Sequence, residues 1–155
     1  MVVTVREAVT ADREALVRFR CDLWPDAPRA EHEEDVDAHF AGRPRSTLPV
    51  AILVAVDDGA PLGFVEVGLR SHADGCGTTQ AVGFVEGWYV TPANRRRGVG
   101  RALVAAAEEW SRAHGCREIA SDTWSDARGE ASVSAHRALG FEVVDRVVNF
   151  RKGLA

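Results

Sequence analysis

The stretch from Val82 to Trp110 constrains this chain more than any other. It runs Val82-Gly83-Phe84-Val85-Glu86-Gly87-Trp88-Tyr89-Val90, then Thr91-Pro92-Ala93-Asn94, then Arg95-Arg96-Arg97-Gly98-Val99-Gly100. The first segment reads as a strand, about Val82 to Val90, and the second as a turn. Val99, Leu103, Ala106, Ala107 and Trp110 then recur at helical spacing and form one apolar stripe. Gly98 and Gly100 leave no Cβ in the way of a ligand. The opening turn of a helix offers unpaired N–H groups at its positive end. Arg95, Arg96, Arg97 and Arg101 add cationic charge. This is the chemistry of a diphosphate cradle.

Two commoner phosphate loops are excluded. A Walker loop ends in Gly-Lys-Ser/Thr, whereas Gly100 is followed by Arg101 and Ala102. A dinucleotide loop needs a third glycine where this chain has Leu103. What remains is Arg-x-x-Gly-x-Gly between a strand and a helix.

At 155 residues with 46% hydrophobic content, the chain reads as one domain spanning residues 1–155 with a sizeable core. No stretch approaches the roughly 18 apolar residues that span a bilayer, so no membrane role is expected. Val2 to Glu7 lacks the pattern of a signal peptide. Cys21, Cys76 and Cys116 are odd in number and lack metal-ligand spacing, so reduced thiols, no metal and a cytoplasmic setting are expected. Cys76, in a Gly-containing loop, is either reactive or an ordinary thiol. A net charge of −4 argues against nucleic acid as a partner.

In chain order, Val2 to Glu7 is a first strand, and Thr10 caps a helix carrying Leu16, Phe19 and Leu23. Leu23-Trp24-Pro25-Asp26-Ala27-Pro28 breaks it. A second helix, about Ala30 to Phe40, carries Glu31, Glu33, Glu34, Asp35 and Asp37. That acidic run is a solvated face or a funnel for a polycation. Pro49 to Val56 and Pro61 to Leu69 form a hairpin around Asp57-Asp58-Gly59. Ser71 to Gln80 is a polar loop before the central strand. Gly115 ends the long helix, Cys116 to Asp122 is a strand, Ala131 to Leu139 a short helix, and Phe141 to Phe150 a last strand.

The motif and this order, βααβββαβαβ, resemble the GNAT N-acetyltransferases. That resemblance implies the GNAT fold. A central mixed sheet of six to seven strands carries four helices, and the fourth and fifth strands splay to form the cleft. Acetyl-CoA is the implied co-substrate, entering from one side while an amine enters from the other. Leu23-Trp24-Pro25, Gly83 to Val90, Gly115 to Thr123 and His136-Arg137-Ala138-Leu139-Gly140-Phe141 look like the aminoglycoside 6′-N-acetyltransferases, over nearly the whole chain. The implied activity is acetyl transfer to the 6′-amine of aminoglycoside antibiotics, by an antibiotic-resistance enzyme that is commonly a homodimer.

The chemistry names the side chains. A polycationic amine needs carboxylates and aromatic faces to orient it, and a base to take its proton. Glu86, amid Phe84, Val85 and Trp88, is either a ligand for the substrate ammonium and proton acceptor, directly or through water, or a solvated outward residue. Asp122 closes the fifth strand beside the expected cleft, as a substrate ligand or a turn cap. Trp24 matches a sugar-contacting tryptophan of the family but equally suits a packing anchor. Asp26 is in the same loop, and Asp145 aligns with an acidic substrate contact or is a surface residue. The backbone N–H of Tyr89 or Val90 is implied to polarise the acetyl carbonyl. The remaining cofactor residues implied are Trp88, Arg95, Arg96, Arg97, Gly98, Val99, Gly100 and Arg101. His136 stands where many relatives carry a tyrosine acid for the departing thiolate. It is an acid or simply a packed helix residue.

Two departures affect the substrate side. The loop Ser71-His72-Ala73-Asp74-Gly75 lacks the tyrosine that helps relatives enclose the drug, which leaves His72 as a stand-in. Gly129 replaces a cofactor-contacting asparagine. Two other functions remain open at this point. One is acetylation of a different small amine or polyamine; the other is a non-catalytic acetyl-CoA-binding module.

Overall fold

The computed structural model describes residues 1–77 and 79–154; Thr78, inside the expected loop from Ser71 to Gln80, and Ala155 lie outside it. Among the described residues, five strands and four α-helices follow one another. They are β1 (Thr4–Glu7), α1 (Arg13–Leu23), α2 (Arg29–Phe40), β2 (Val50–Asp57), β3 (Ala60–Arg70), β4 (Val82–Val90), α3 (Val99–Ala113), β5 (Ile119–Ser121) and α4 (Glu130–Ala138). The sheet order is β1-β2-β3-β4-β5, antiparallel throughout except for the parallel β4–β5 pair. This is a mixed α/β sheet of the GNAT type with five strands rather than six to seven.

Alternation along the strands builds two apolar layers. Ala51, Leu53 and Ala55 of β2, with Val65, Val67 and Val85, pack against Val99, Leu103 and Ala107 of α3. The intervening Ile52, Val54 and Val56, with Phe64 and Tyr89, pack against Leu16, Val17 and Phe19 of α1 and Val36 of α2. Phe19 and Phe64 are fully buried and stacked at 6.4 Å between centroids, each contributing about 2 kcal/mol by burial. The hairpin between β2 and β3 turns on Asp58 and Gly59, both with positive φ, as its tight geometry requires.

Three expectations are corrected. Phe141 to Phe150 forms no strand, because no neighbouring strand supplies a ladder for it among the described residues. Val143, Val144, Val147, Val148 and Phe150 are exposed there, Phe150 at 93%. β5 is three residues long rather than running from Cys116 to Asp122, because its ladder with β4 covers only that span. Thr10 does not cap α1: it opens a short 3-10 turn, Thr10–Asp12, and the N-cap position of α1 falls on Asp12, whose carboxylate closes that turn by accepting the Val9 N–H at 2.8 Å.

Two irregularities position the site. Register passes from Val67 opposite Val85 to Glu66 opposite Gly87, so Glu86 is the extra residue of a β-bulge. Beyond Val85 and Ser121 the β4–β5 ladder stops, while β4 continues to Val90. The two strands part there, and the expected splay is present.

Candidate active site

The bulge turns consecutive residues of β4 to one face. Arg70 stretches over the Phe84 ring, 3.4 Å from its centroid, and bonds Glu86 with Nε at 2.9 Å and Nη2 at 2.7 Å. Glu86 therefore shares a face with Phe84. A Cβ on Gly87 would meet Trp24 Cη2 at 2.5 Å, so Gly87 also faces α1 and only glycine admits the indole there. Trp24 lies edge-on to Phe64 at 6.5 Å and receives the Arg20 guanidinium at 4.7 Å. It is a packing anchor as well as a wall of this face. Below it, Arg20 pairs with Glu66 and, at 2.9 Å, with Asp35. Burial pushes the Glu66 carboxyl above the usual carboxylate range; Arg20 opposes that shift, while Glu86 and Asp35 add to it.

The opposite face holds the helix start. Gly98 has φ +86°, and Gly100 approaches Trp88 so closely that a Cβ would fall 2.8 Å from Cζ2. The fold itself requires both glycines, whatever ligand passes. Ala102 N–H donates to the Gly98 carbonyl at 3.0 Å, which leaves the N–H groups from Arg96 to Arg101 without an acceptor among the described residues. Arg96 sits at φ +62°. Arg95 Nε donates to the Val90 carbonyl at 3.0 Å, and Arg97 reaches Asn94 at 3.4 Å. The buried Trp88 Nε1–H has no partner among the described residues. Orphan amides, arginines and an unpaired indole donor all suit an acceptor-rich diphosphate and pantetheine chain.

Between the faces lies the parted edge of β4. Thr91 N–H donates to Leu62 O on β3 at 3.0 Å. Strand alternation therefore aims the Tyr89 amide at β3 too, and the Val90 amide into the gap. The Tyr89 side chain turns into the core and donates its hydroxyl to Asp22 at 2.9 Å. His136, on α4, lies edge-on to Trp88 at 5.4 Å and to Phe141 at 5.2 Å. Its Nδ1 lies 2.7 Å from the Ser132 carbonyl, which can only accept, so Nδ1 carries a proton. Nε2 lies 2.9 Å from the Ser121 hydroxyl at the point where the strands part.

The other sequence-derived residues lie further out. Asp122 is exposed just beyond β5. Asp26 is exposed, and its charge contributes the smallest part of the upward shift of Arg128, which lies between β5 and α4. His72 reaches Asp74 at 3.3 Å. Asp145 sits on the exposed segment after α4, where its carboxylate accepts the Arg146 N–H, and no hydrogen bond or ion pair among the described residues brings it to Glu86. Burial and Glu118 push the Cys76 thiol up, opposite to what a nucleophile needs. Among the described residues no group of His, Cys, Asp and Glu is arranged to hold a metal, and no helix is long and apolar enough to cross a membrane.

Arg70, Arg20, Glu66 and Ser121 escaped the sequence reading. Glu66 carried a signal, since it interrupts Phe64, Val65 and Val67 just as Glu86 interrupts its own strand. The others are ordinary in sequence and gain meaning only from their partners.

Residues 14–141 match the family described as "Acetyltransferase (GNAT) family". An "Aminoglycoside N(6')-acetyltransferase type 1" of Klebsiella aerogenes is 46% identical over 151 residues, covering 97% of this chain and 96% of that protein. Its namesake from Stenotrophomonas maltophilia is 43% identical, covering 97% and 94%. Among solved structures, "AAC(6')-Iy in complex with bisubstrate analog CoA-S-monomethyl-acetylneamine" superposes with a TM-score of 0.86 at 33% identity, over 99% of this chain and 100% of that one.

Proposed function

This chain belongs to the GNAT acetyltransferase family, and from that premise we propose that it moves an acetyl group from acetyl-CoA to the 6′-amine of aminoglycosides. The observation that carries this reading is the parted β4 edge. It has Glu86 and Trp24 on one face, the α3 start and Trp88 on the other, and the Val90 amide between. A carboxylate beside an aromatic wall suits an ammonium; orphan amides beside arginines suit a diphosphate.

In this reading acetyl-CoA supplies the thioester. The chain's residues do the rest. Glu86 holds the substrate ammonium and accepts its proton, directly or through a water. Val90 N–H donates to the carbonyl oxygen as negative charge develops there. His136 gives a proton from Nε2 to the departing thiolate. Trp24, Asp26, His72, Asp122 and Asp145 are assigned to the drug. Arg95, Arg96, Arg97, Gly98, Val99, Gly100, Arg101, Trp88 and Tyr89 are assigned to the cofactor side, Tyr89 by its place in β4 and not by its side chain.

The same reading takes residues 1–155 as one catalytic domain, at work in the cytoplasm where acetyl-CoA is available. It also takes the protein as a homodimer. The exposed Val143, Val144, Val147, Val148 and Phe150 support that, since so much apolar surface on one segment marks a contact site.

Thiol release from acetyl-CoA tests the function, with kanamycin set against a kanamycin-type substrate bearing a 6′-hydroxyl and against spermidine. Turnover restricted to the 6′-amine is expected. Turnover with spermidine alone would move the activity to another polyamine.

A further inference from the structure

The seat that the functional reading gives to the substrate is already filled. Both oxygens of Glu86 are bonded to Arg70, at 2.9 and 2.7 Å, and the guanidinium lies over Phe84 at 3.4 Å. A carboxylate beside an aromatic face is a cation site, and here the chain's own cation occupies it. Arg70 pairs with Glu86 in fork geometry, so an incoming ammonium meets a neutral pair instead of a bare charge.

Arg70 differs from the other arginine on this face. Arg20 is 9% exposed and held by two carboxylates, Glu66 and Asp35, beneath Trp24. Arg70 is 42% exposed, is held by one carboxylate, and closes β3 just before the loop at Ser71. Arg70 can swing away without breaking a buried network; Arg20 cannot.

We propose that Arg70 is a tethered occupant of the cation seat on Glu86, which the substrate ammonium must displace. Arg70 thereby sets the affinity and the charge selectivity of the amine site. A polycation pairs one ammonium with Glu86 while its remaining charges add to the repulsion of the guanidinium, whereas a monoamine brings a single charge. The inference rests on the reading of Glu86 as the ammonium ligand.

Calorimetric titration with kanamycin, in the presence of CoA, tests it on wild type, Arg70→Gln, Glu86→Gln and the double variant. Arg70→Gln is expected to bind about tenfold tighter, the worth of an exposed forked ion pair with an aromatic face. That gain must vanish in the Glu86→Gln background. Arg70→Lys, which keeps the charge but loses the fork, must fall between wild type and Arg70→Gln, and it serves as the test if Arg70→Gln does not fold. Equal or weaker binding by these folded variants overturns the proposal and makes Arg70 a support for Glu86. A wild-type protein that transfers no acetyl to kanamycin sinks the functional reading alone. The same cycle with spermidine then still decides about Arg70.

Discussion

Trp88 and Gly100 touch across the α3 start: a Cβ on residue 100 would stand 2.8 Å from Trp88 Cζ2. The indole thus lies against the turn whose amides lack acceptors among the described residues, and its own Nε1–H is unpaired among them too. Gly100→Ala must push the indole off that turn. The KM for acetyl-CoA is expected to rise about tenfold, a change of about 1.4 kcal/mol, with kcat nearly constant. An unchanged KM would move the cradle elsewhere.

Gly87 makes the matching contact on the other face, where Trp24 Cη2 would meet a Cβ at 2.5 Å. Gly87→Ala is expected to destabilise the protein by about 1–3 kcal/mol, the usual range for overpacking, read by urea unfolding. The KM for the amine should rise with it, because the displaced ring also walls the Glu86 face.

His136 bridges Ser132 and Ser121 at the strand opening. His136→Phe keeps the aromatic edge against Trp88 but has no proton to give. Its kcat is expected to fall about 100-fold, with a smaller fall in Ser121→Ala, which removes only the partner of Nε2. Unchanged turnover across pH in His136→Phe would remove the ring from the mechanism.

Asp12 is buried and accepts three hydrogen bonds, from Arg6 at 2.6 and 3.0 Å and from Val9 N–H at 2.8 Å. The Arg6 hydrogen bond is the main reason its carboxyl titrates below the usual range, with the Val9 bond adding to it against desolvation. A folded pKa below the unfolded one stabilises above the unfolded value, about pH 4. That contribution is lost as pH falls through the lower, folded value. Asp12→Asn should therefore cost about 2 kcal/mol near pH 7, and the gap to wild type should close below pH 4. A gap that persists in acid would assign the loss to packing.

The segment from Phe141 to Phe150 carries valines at adjacent positions, 143/144 and 147/148, so an extended form is apolar on both faces. Such a strand belongs inside a sheet. On the proposed homodimer reading, sedimentation of the wild type shows a dimer and the double change Val144→Asp with Val148→Asp shifts it to monomer; a monomeric wild type would overturn that reading. A variant that stays dimeric would place the interface elsewhere.

Much of this was legible in one dimension. Alternation in β2 sends odd and even residues to opposite layers, and the stripe of α3 buries Val99, Leu103 and Ala107. These are local periodicities, and the chain carries them whatever it packs against. The start of α3 was legible for the same reason: two glycines, a run of arginines and a helix start are neighbours in sequence.

The pairings were not legible. Arg70 reaches Glu86 only because β3 and β4 run antiparallel and the bulge turns Glu86 onto the Phe84 face. Gly87 and Gly100 are glycines because two tryptophans from distant or facing elements lean on them. The choice of Val90 over Tyr89 as the amide in the gap follows from register alone. Phe141 to Phe150 has the composition of a strand and is not one, because a strand exists only where a neighbour completes its hydrogen bonds. Sequence by itself determined periodicity and the family motif, which depend on adjacent residues. Tertiary structure decided which charges meet and which amide is left free, because those are distances between residues far apart in the chain.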